Sequence, residues 1–159
     1  MNNIEFILPE ILISLSIMFL LILGVFKKNS SNLIHYLSIG LLLISGILIL
    51  NNPLETKVTL FGESYVIDNL SSYMKILTIF GGATVLLMST KYLKLSKIFL
   101  IEYPILILCS ILGMMVMISS NDLMVFYIGL ELQSLALYVL ASFNRDQLKS
   151  SESGLKYFV

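Results

Sequence analysis

One acidic residue, Glu131, lies inside an apolar run long enough to cross a lipid bilayer, in the stretch YIGLELQSLALYVLASFNRD at residues 127–146. A carboxylate at mid-bilayer costs about 2.5–3.5 kcal/mol on insertion scales, so it needs a partner, a proton or water. Steps of three and four residues from Glu131 reach side chains that share one helical face: Tyr127, Ser134, Tyr138, Ser142 and Arg145. This polar stripe favours a functional role for Glu131 over a simple interhelical hydrogen bond. Gln133 lies off the stripe, and we expect it to bond to another helix.

Lys156, in the segment SESGLKYFV, is the second candidate for proton transfer. It follows Glu152 by four positions, and one interpretation is a local ion pair near the membrane interface, worth about 0.2–0.5 kcal/mol. The other interpretation turns its ammonium group toward Glu131 on the preceding helix, where the two groups form an acid–base pair able to relay protons. The spacing alone leaves both interpretations open.

The remaining polar residues of the apolar segments have simpler interpretations. We expect Lys75 to lie near the outer interface with its ammonium group extended to water, and Asp122 to cap a helix. His35 and Glu102 are predicted to be interfacial. Cys109 is interpreted as a small buried hydrophobe rather than a redox or metal group.

Composition and periodicity predict the elements that hold these residues. Hydrophobic residues make up 57% of the 159 and charged residues 13%, about half the charged fraction of a soluble domain. A bilayer core needs about 20 apolar residues per helix. We therefore predict an all-α, polytopic transmembrane bundle of five full helices and the start of a sixth, at residues 6–26, 33–50, 70–90, 99–118, 123–143 and from 150. Gly62 and alternating polarity predict a hairpin or loop within an outer-side segment at 51–69, and Gly81 and Gly82 predict close helix packing.

The charged loops predict an orientation. Seven of the ten basic residues fall in the loops after helices one, three and five: Lys27, Lys28, Lys91, Lys94, Lys97, Arg145 and Lys149. The positive-inside rule then places the N-terminus on the outer side. The start of the chain has acidic residues in place of the basic region of a signal peptide, which predicts a retained first helix. Zero formal net charge gives no indication of nucleic-acid binding.

A resemblance rests on the motifs NDL, YIGLELQSLALYVL and ESGLKYF, within residues 102–159. This segment closely resembles NADH dehydrogenase subunit 2, the NuoN-type antiporter-like subunit of respiratory complex I. The resemblance implies a membrane-arm subunit of a proton-translocating NADH:ubiquinone oxidoreductase, with proton translocation carried by Glu131 and Lys156. It also implies that residues 1–98 hold three leading helices and that residues 99–159 begin the first antiporter-like repeat.

The same resemblance implies the partners and cofactors. FMN, iron–sulfur clusters and ubiquinone are expected elsewhere in the complex, with no cofactor and no redox chemistry in this chain. Other membrane-arm subunits and lipids are the expected partners. Since family members continue through many more helices, a second chain carrying the rest of the subunit is expected if the gene is split, and a fragment is the other explanation.

Localisation and two alternative functions follow. Nine lysines against one arginine indicate an AT-rich genome, which favours the mitochondrial inner membrane, with a bacterial plasma membrane as the alternative. The alternative functions are a subunit of a multisubunit sodium/proton antiporter and a non-conducting structural membrane subunit.

Overall fold

Six helices follow the chain in the computed structural model, which describes residues 6–26, 31–51, 57–95, 100–144 and 148–158. They are α1 (Leu8–Phe26), α2 (Ser31–Asn51), α3 (Asn69–Leu95), α4 (Glu102–Ile118), α5 (Leu123–Ala141) and α6 (Leu148–Phe158). Pro9 lies in the first turn of α1, where its missing N–H is tolerated. Lys27, Lys28, Lys97 and Arg145, which carry part of the orientation argument, fall outside the described residues.

The helices confirm the predicted all-α membrane bundle. By length and composition α1, α2, α3 and α5 can each cross a membrane, and α4 is apolar but only 17 residues long. At 1.5 Å per residue α4 extends about 25 Å, slightly less than a bilayer core of about 30 Å.

A two-stranded hairpin connects α2 to α3, as the sequence predicts. Strand β1 (Val58–Leu60) pairs antiparallel with β2 (Tyr65–Ile67), with Thr59 opposite Val66. Gly62 in the turn has a φ of 64°, in the left-handed region that glycine adopts without strain. The hairpin is fastened to the α4–α5 turn, because Val66 N donates to Ser119 O at 2.8 Å and Asn121 N donates to Ser64 O at 3.0 Å.

Helices α1 to α4 share one apolar core. Its fully buried side chains come from all four helices and include Ile13, Leu20, Ile34, Leu42, Leu86, Leu108 and Met115. Helix α5 packs on α4, and α6 packs on α5. The division of the chain near residue 98 stays a prediction.

Two glycines set the approach of α5 to α4. A Cβ on Gly129 would lie 2.9 Å from both Gly113 O and Met117 N, and a Cβ on Gly113 would lie 2.7 Å from Gln133 N. These are backbone atoms, so the two helices touch main chain to main chain at this crossing. Of the glycine pair predicted to allow close packing, Gly82 does so against Ile111, whereas Gly81 faces open space.

His35 lies near the start of α2, and its side chain is buried within the bundle. His35 is 1% exposed, and its Nε2 lies 2.9 Å from Leu86 O, which joins α2 to α3. A bond to a carbonyl requires Nε2 to be the protonated nitrogen. An imidazole so bonded is compatible with burial because its donor is satisfied by the neighbouring helix.

Candidate functional site

Glu131 lies near the middle of α5 and is half-buried. The Tyr127 hydroxyl, one helical turn earlier, is hydrogen-bonded to its carboxylate. On the C-terminal side, Ser134 Oγ donates to the main-chain oxygen of Glu131 at 3.1 Å. A phenol on the same helix therefore contacts the carboxylate, and the spacing of the two residues is the one that the polar stripe predicts.

A cleft of about 330 Å³ continues the stripe between α4, α5 and α6. Its polar lining residues are Gln133, Ser134, Tyr138 and Tyr157. Gln133, predicted to reach another helix, thus shares the cleft with two members of the stripe. The cleft provides hydroxyl and amide groups on the C-terminal side of Glu131, the kind of surface that water can occupy.

Lys156 makes the local ion pair that one interpretation of the sequence describes. Its Nζ lies 2.7 Å from Glu152 Oε1, and the two side chains are 74% and 62% exposed. Both groups lie on the exposed face of α6, away from α5.

The structure does not bring Lys156 and Glu131 into contact. Gly154 packs against Ser142, and the Tyr157 ring lies 5.2 Å from the Tyr138 ring, so this part of α6 faces the C-terminal end of α5. Tyr138 follows Glu131 by seven residues, and two helical turns separate them by about 10 Å along the axis.

The other sequence predictions near the site have clear outcomes. Asp122 is the N-cap of α5, with its carboxylate accepting from Met124 N at 3.4 Å, as predicted. Cys109 is partly buried against the apolar core. Glu102 lies exposed in the first turn of α4. Arg145, the last member of the stripe, falls outside the described residues.

A second polar cluster, which the sequence did not predict, joins α1, β2 and α3. Lys75 Nζ lies 2.6 Å from Glu10 Oε1, and the Tyr65 hydroxyl donates to the same oxygen at 2.9 Å. Lys75 Nζ also lies 3.3 Å from the Tyr65 hydroxyl and 5.2 Å from the centre of its ring. We call Glu10, Tyr65 and Lys75 the outer triad.

The outer triad corrects the prediction for Lys75. The residue lies in the second turn of α3, and it is 2% exposed instead of extended to water. A carboxylate from another helix holds the ammonium group inside the protein. The available sequence signal was the placement of Glu10 and Lys75, of opposite charge, at the same end of the bundle.

Charge and burial fix the protonation of the phenol in this cluster. Burial, and next the negative charge of Glu10, raise the pKa of Tyr65 far above its ordinary value of 10.0. The hydroxyl therefore stays protonated at neutral pH and can donate to Glu10 while accepting from Lys75.

Known proteins match both the sequence and the fold. The family model for the membrane region of NADH:quinone oxidoreductase and Mrp antiporter subunits matches residues 120–159. NADH-quinone oxidoreductase subunit N of Pelagibacter ubique is 79% identical over all 159 residues, which cover 34% of that protein. The resemblance seen in the sequence is confirmed. The same subunit of Rhodospirillum rubrum is 47% identical over 154 residues, with 96% of this chain and 32% of the relative covered.

A solved structure resembles the fold. A chain of respiratory complex I from Thermus thermophilus with bound aureothin matches with a TM-score of 0.78 and 21% identity, covering 94% of this chain and 32% of the matched chain. The present chain spans about a third of the length of the relatives it matches.

Proposed function

We propose that the chain is part of a membrane-arm subunit of a respiratory NADH:quinone oxidoreductase and takes part in proton translocation coupled to quinone reduction. The identity of 79% over the whole chain to a protein named NADH-quinone oxidoreductase subunit N carries this proposal. Quinone reduction takes place on other subunits, which bind FMN, iron–sulfur clusters and ubiquinone. This chain contributes proton transfer and no redox step.

In this proposal Glu131 holds the transferred proton. The carboxylate takes a proton to become a neutral acid and releases it to return to the anion. The hydroxyl of Tyr127, hydrogen-bonded to this carboxylate, is its polar neighbour one turn earlier on the same helix.

Lys156 is the second proton-transfer group of the proposal, and it acts at a distance. Its neighbour Tyr157 contacts Tyr138, which lies about 10 Å from Glu131 along α5, so Lys156 and Glu131 need intermediate groups between them. The hydroxyls of Ser134 and Tyr138, with water in the cleft that they line, supply the intermediate hydrogen-bonding groups.

The proposal includes a location and partners. The relatives described above are bacterial proteins, which favours a bacterial plasma membrane over the mitochondrial inner membrane. The N-terminus is proposed to lie on the outer side, following the distribution of lysines. The partners are the other membrane-arm subunits, the lipids around them and, if the gene is split, a second chain.

An antiporter subunit is the alternative with specific support, because the matching family model covers both NADH:quinone oxidoreductase and Mrp antiporter subunits. Affinity purification of the tagged full-length protein from its own membranes separates the two functions. Co-purification of FMN, iron–sulfur clusters and NADH:quinone reductase activity is expected. Purification with other membrane proteins but without flavin and iron–sulfur subunits would instead indicate the antiporter.

A further inference from the structure

The outer triad leaves one oxygen of Glu10 without a protein donor among the described residues. Oε1 receives hydrogen bonds from both Tyr65 and Lys75, whereas Oε2 is buried and has no such partner within the part of the chain that the structure describes. Glu10 as a whole is 6% exposed. A buried acceptor without a hydrogen bond destabilises the folded state, and more so if it is charged.

A small cavity adjoins this carboxylate. It has a volume of about 10 Å³, close to the 10–15 Å³ that one water molecule needs. Glu10, Ser72 and Lys75 are its polar lining residues, and the rest of the lining is Phe6, Pro9, Ile49 and Ile67. Three polar side chains around a space of this size fit the two to four hydrogen bonds of a buried water.

We propose that this cavity is a binding site for a single structural water molecule, which donates a hydrogen bond to Oε2 of Glu10. The Lys75 ammonium has three donors, of which Glu10 and Tyr65 use two, so the third is available to the oxygen of this water. The Ser72 hydroxyl completes the site as donor or acceptor.

Charge selects water over an ion. The ammonium of Lys75 repels a metal cation at this distance from Glu10, and the carboxylate repels an anion. A neutral molecule with two donors and two acceptor lone pairs satisfies both groups. A water on Oε2 supplies the hydrogen bond that this buried acceptor otherwise lacks.

A high-resolution electron cryo-microscopy map of the full-length protein in its assembled complex tests the site. We expect a density peak at hydrogen-bond distance, about 2.7–3.0 Å, from Glu10 Oε2. The inference is overturned if a map that resolves other buried waters shows no peak there. It also fails if a donor from residues 1–5 occupies Oε2, or if oxygen distances of about 2.3–2.6 Å indicate a bound cation.

Two matched variants extend the test. Ser72→Val removes the hydroxyl and adds volume to the cavity wall, and we expect the peak to be lost. Thr78→Val changes a residue of the same helix whose hydroxyl bonds to Lys75 O, outside the cavity lining, and should leave the peak in place. Retention of the peak in Ser72→Val would contradict the assigned site. If this variant does not assemble, the wild-type map decides.

Discussion

Nζ of Lys75 lies 2.6 Å from Oε1 of Glu10, although the two residues are 65 positions apart in the chain. This buried ion pair joins α1 to α3, and Tyr65 extends the connection to the hairpin. The hairpin in turn bonds to the α4–α5 turn through Ser119 and Asn121. One polar cluster therefore connects α1 and α3, through the hairpin, to the end of the bundle from which α5, the helix of Glu131, begins.

Lys75→Met is expected to weaken assembly of the complex strongly. Removal of the ammonium leaves the Glu10 carboxylate buried without its counter-charge, and breaking a buried pair in this way costs about 3–5 kcal/mol. The amount of assembled complex on native gels, together with its thermal stability, measures the effect. We expect the double variant Glu10→Gln, Lys75→Met to recover part of the loss, because no uncompensated charge remains.

Lys91→Met is the matched control for this prediction. Lys91 belongs to the same helix but is exposed, so the same substitution should change stability by no more than about 0.5 kcal/mol. If the two lysine substitutions lower stability equally, Lys75 in the outer triad contributes no more to stability than the exposed Lys91 does.

Gly129→Ala is expected to displace α5 from α4. The added methyl group would meet main-chain atoms of Gly113 and Met117 at 2.9 Å, and backbone cannot move aside as a flexible side chain can. Since Glu131 lies two residues further along, both assembly and proton pumping should fall.

Gly40→Ala is the control, because nothing lies within 4 Å of its added Cβ. At this helical position, Gly40→Ala should leave the stability of the protein unchanged or raise it by up to about 1 kcal/mol. Normal assembly and pumping in Gly129→Ala would show that the close crossing is not required.

Asp68 is expected to make the start of α3 sensitive to acid. Its carboxylate accepts from Ser71 N at 2.7 Å, and this hydrogen bond is the main cause that lowers the pKa of Asp68 below 3.8. A lowered pKa means that the stabilisation is present at neutral pH and is lost as pH falls through the folded-state pKa, below about 4. Amide hydrogen exchange of residues 69–72, corrected for the pH dependence of intrinsic exchange, is compared between pH 7 and a series of pH values below 3.8 to measure this opening.

The variants at Asp68 separate charge from capping. Asp68→Ala should speed exchange at pH 7, since loss of a cap costs about 1 kcal/mol. Asp68→Asn keeps an acceptor oxygen and should remove most of the pH dependence. Unchanged acid sensitivity in Asp68→Asn would assign it to another group.

The helices were predictable because an apolar chain in a bilayer must satisfy its backbone hydrogen bonds internally and must match the bilayer thickness with about 20 residues per helix. The predicted first helix at 6–26 differs by two residues from Leu8–Phe26, and the predicted fifth at 123–143 ends two residues beyond Ala141. The third helix was predicted to end at 90 but continues to Leu95. Its last turns contain Lys91 and Lys94, which hydropathy assigns to a loop, although lysine is a good helix former.

The candidate site was only partly predictable. The contact of Tyr127 with Glu131 is local, so helical spacing was enough to predict it. The burial of Lys75 depends on Glu10 and Tyr65 from other elements, and the sequence gives no distance between such residues. The same reason applies to His35, whose carbonyl partner Leu86 belongs to another helix.

Glu131→Gln is expected to lower the proton-to-electron ratio of the complex severalfold while assembly is retained. The amide matches the carboxylate in size and still accepts from Tyr127, but it cannot take up a proton. Proton uptake measured with a pH-sensitive dye in proteoliposomes, beside NADH oxidation, separates pumping from electron transfer. Glu63→Gln, an exposed glutamate in the hairpin turn, should leave the ratio unchanged. Normal pumping in Glu131→Gln would favour the non-conducting structural role.

Lys156→Met separates a relay lysine from a local ion pair. If Lys156 is the second proton-transfer group, Lys156→Met should lower pumping to the same extent as Glu131→Gln, because a relay stops when either group is lost. As a surface ion pair alone it contributes about 0.2–0.5 kcal/mol to its helix, and its removal should leave pumping intact. Glu152→Gln breaks the same pair but keeps the lysine, so it provides the control. A loss of pumping in Lys156→Met with normal pumping in Glu152→Gln is the expected outcome, and equal behaviour of the two variants would refute the relay.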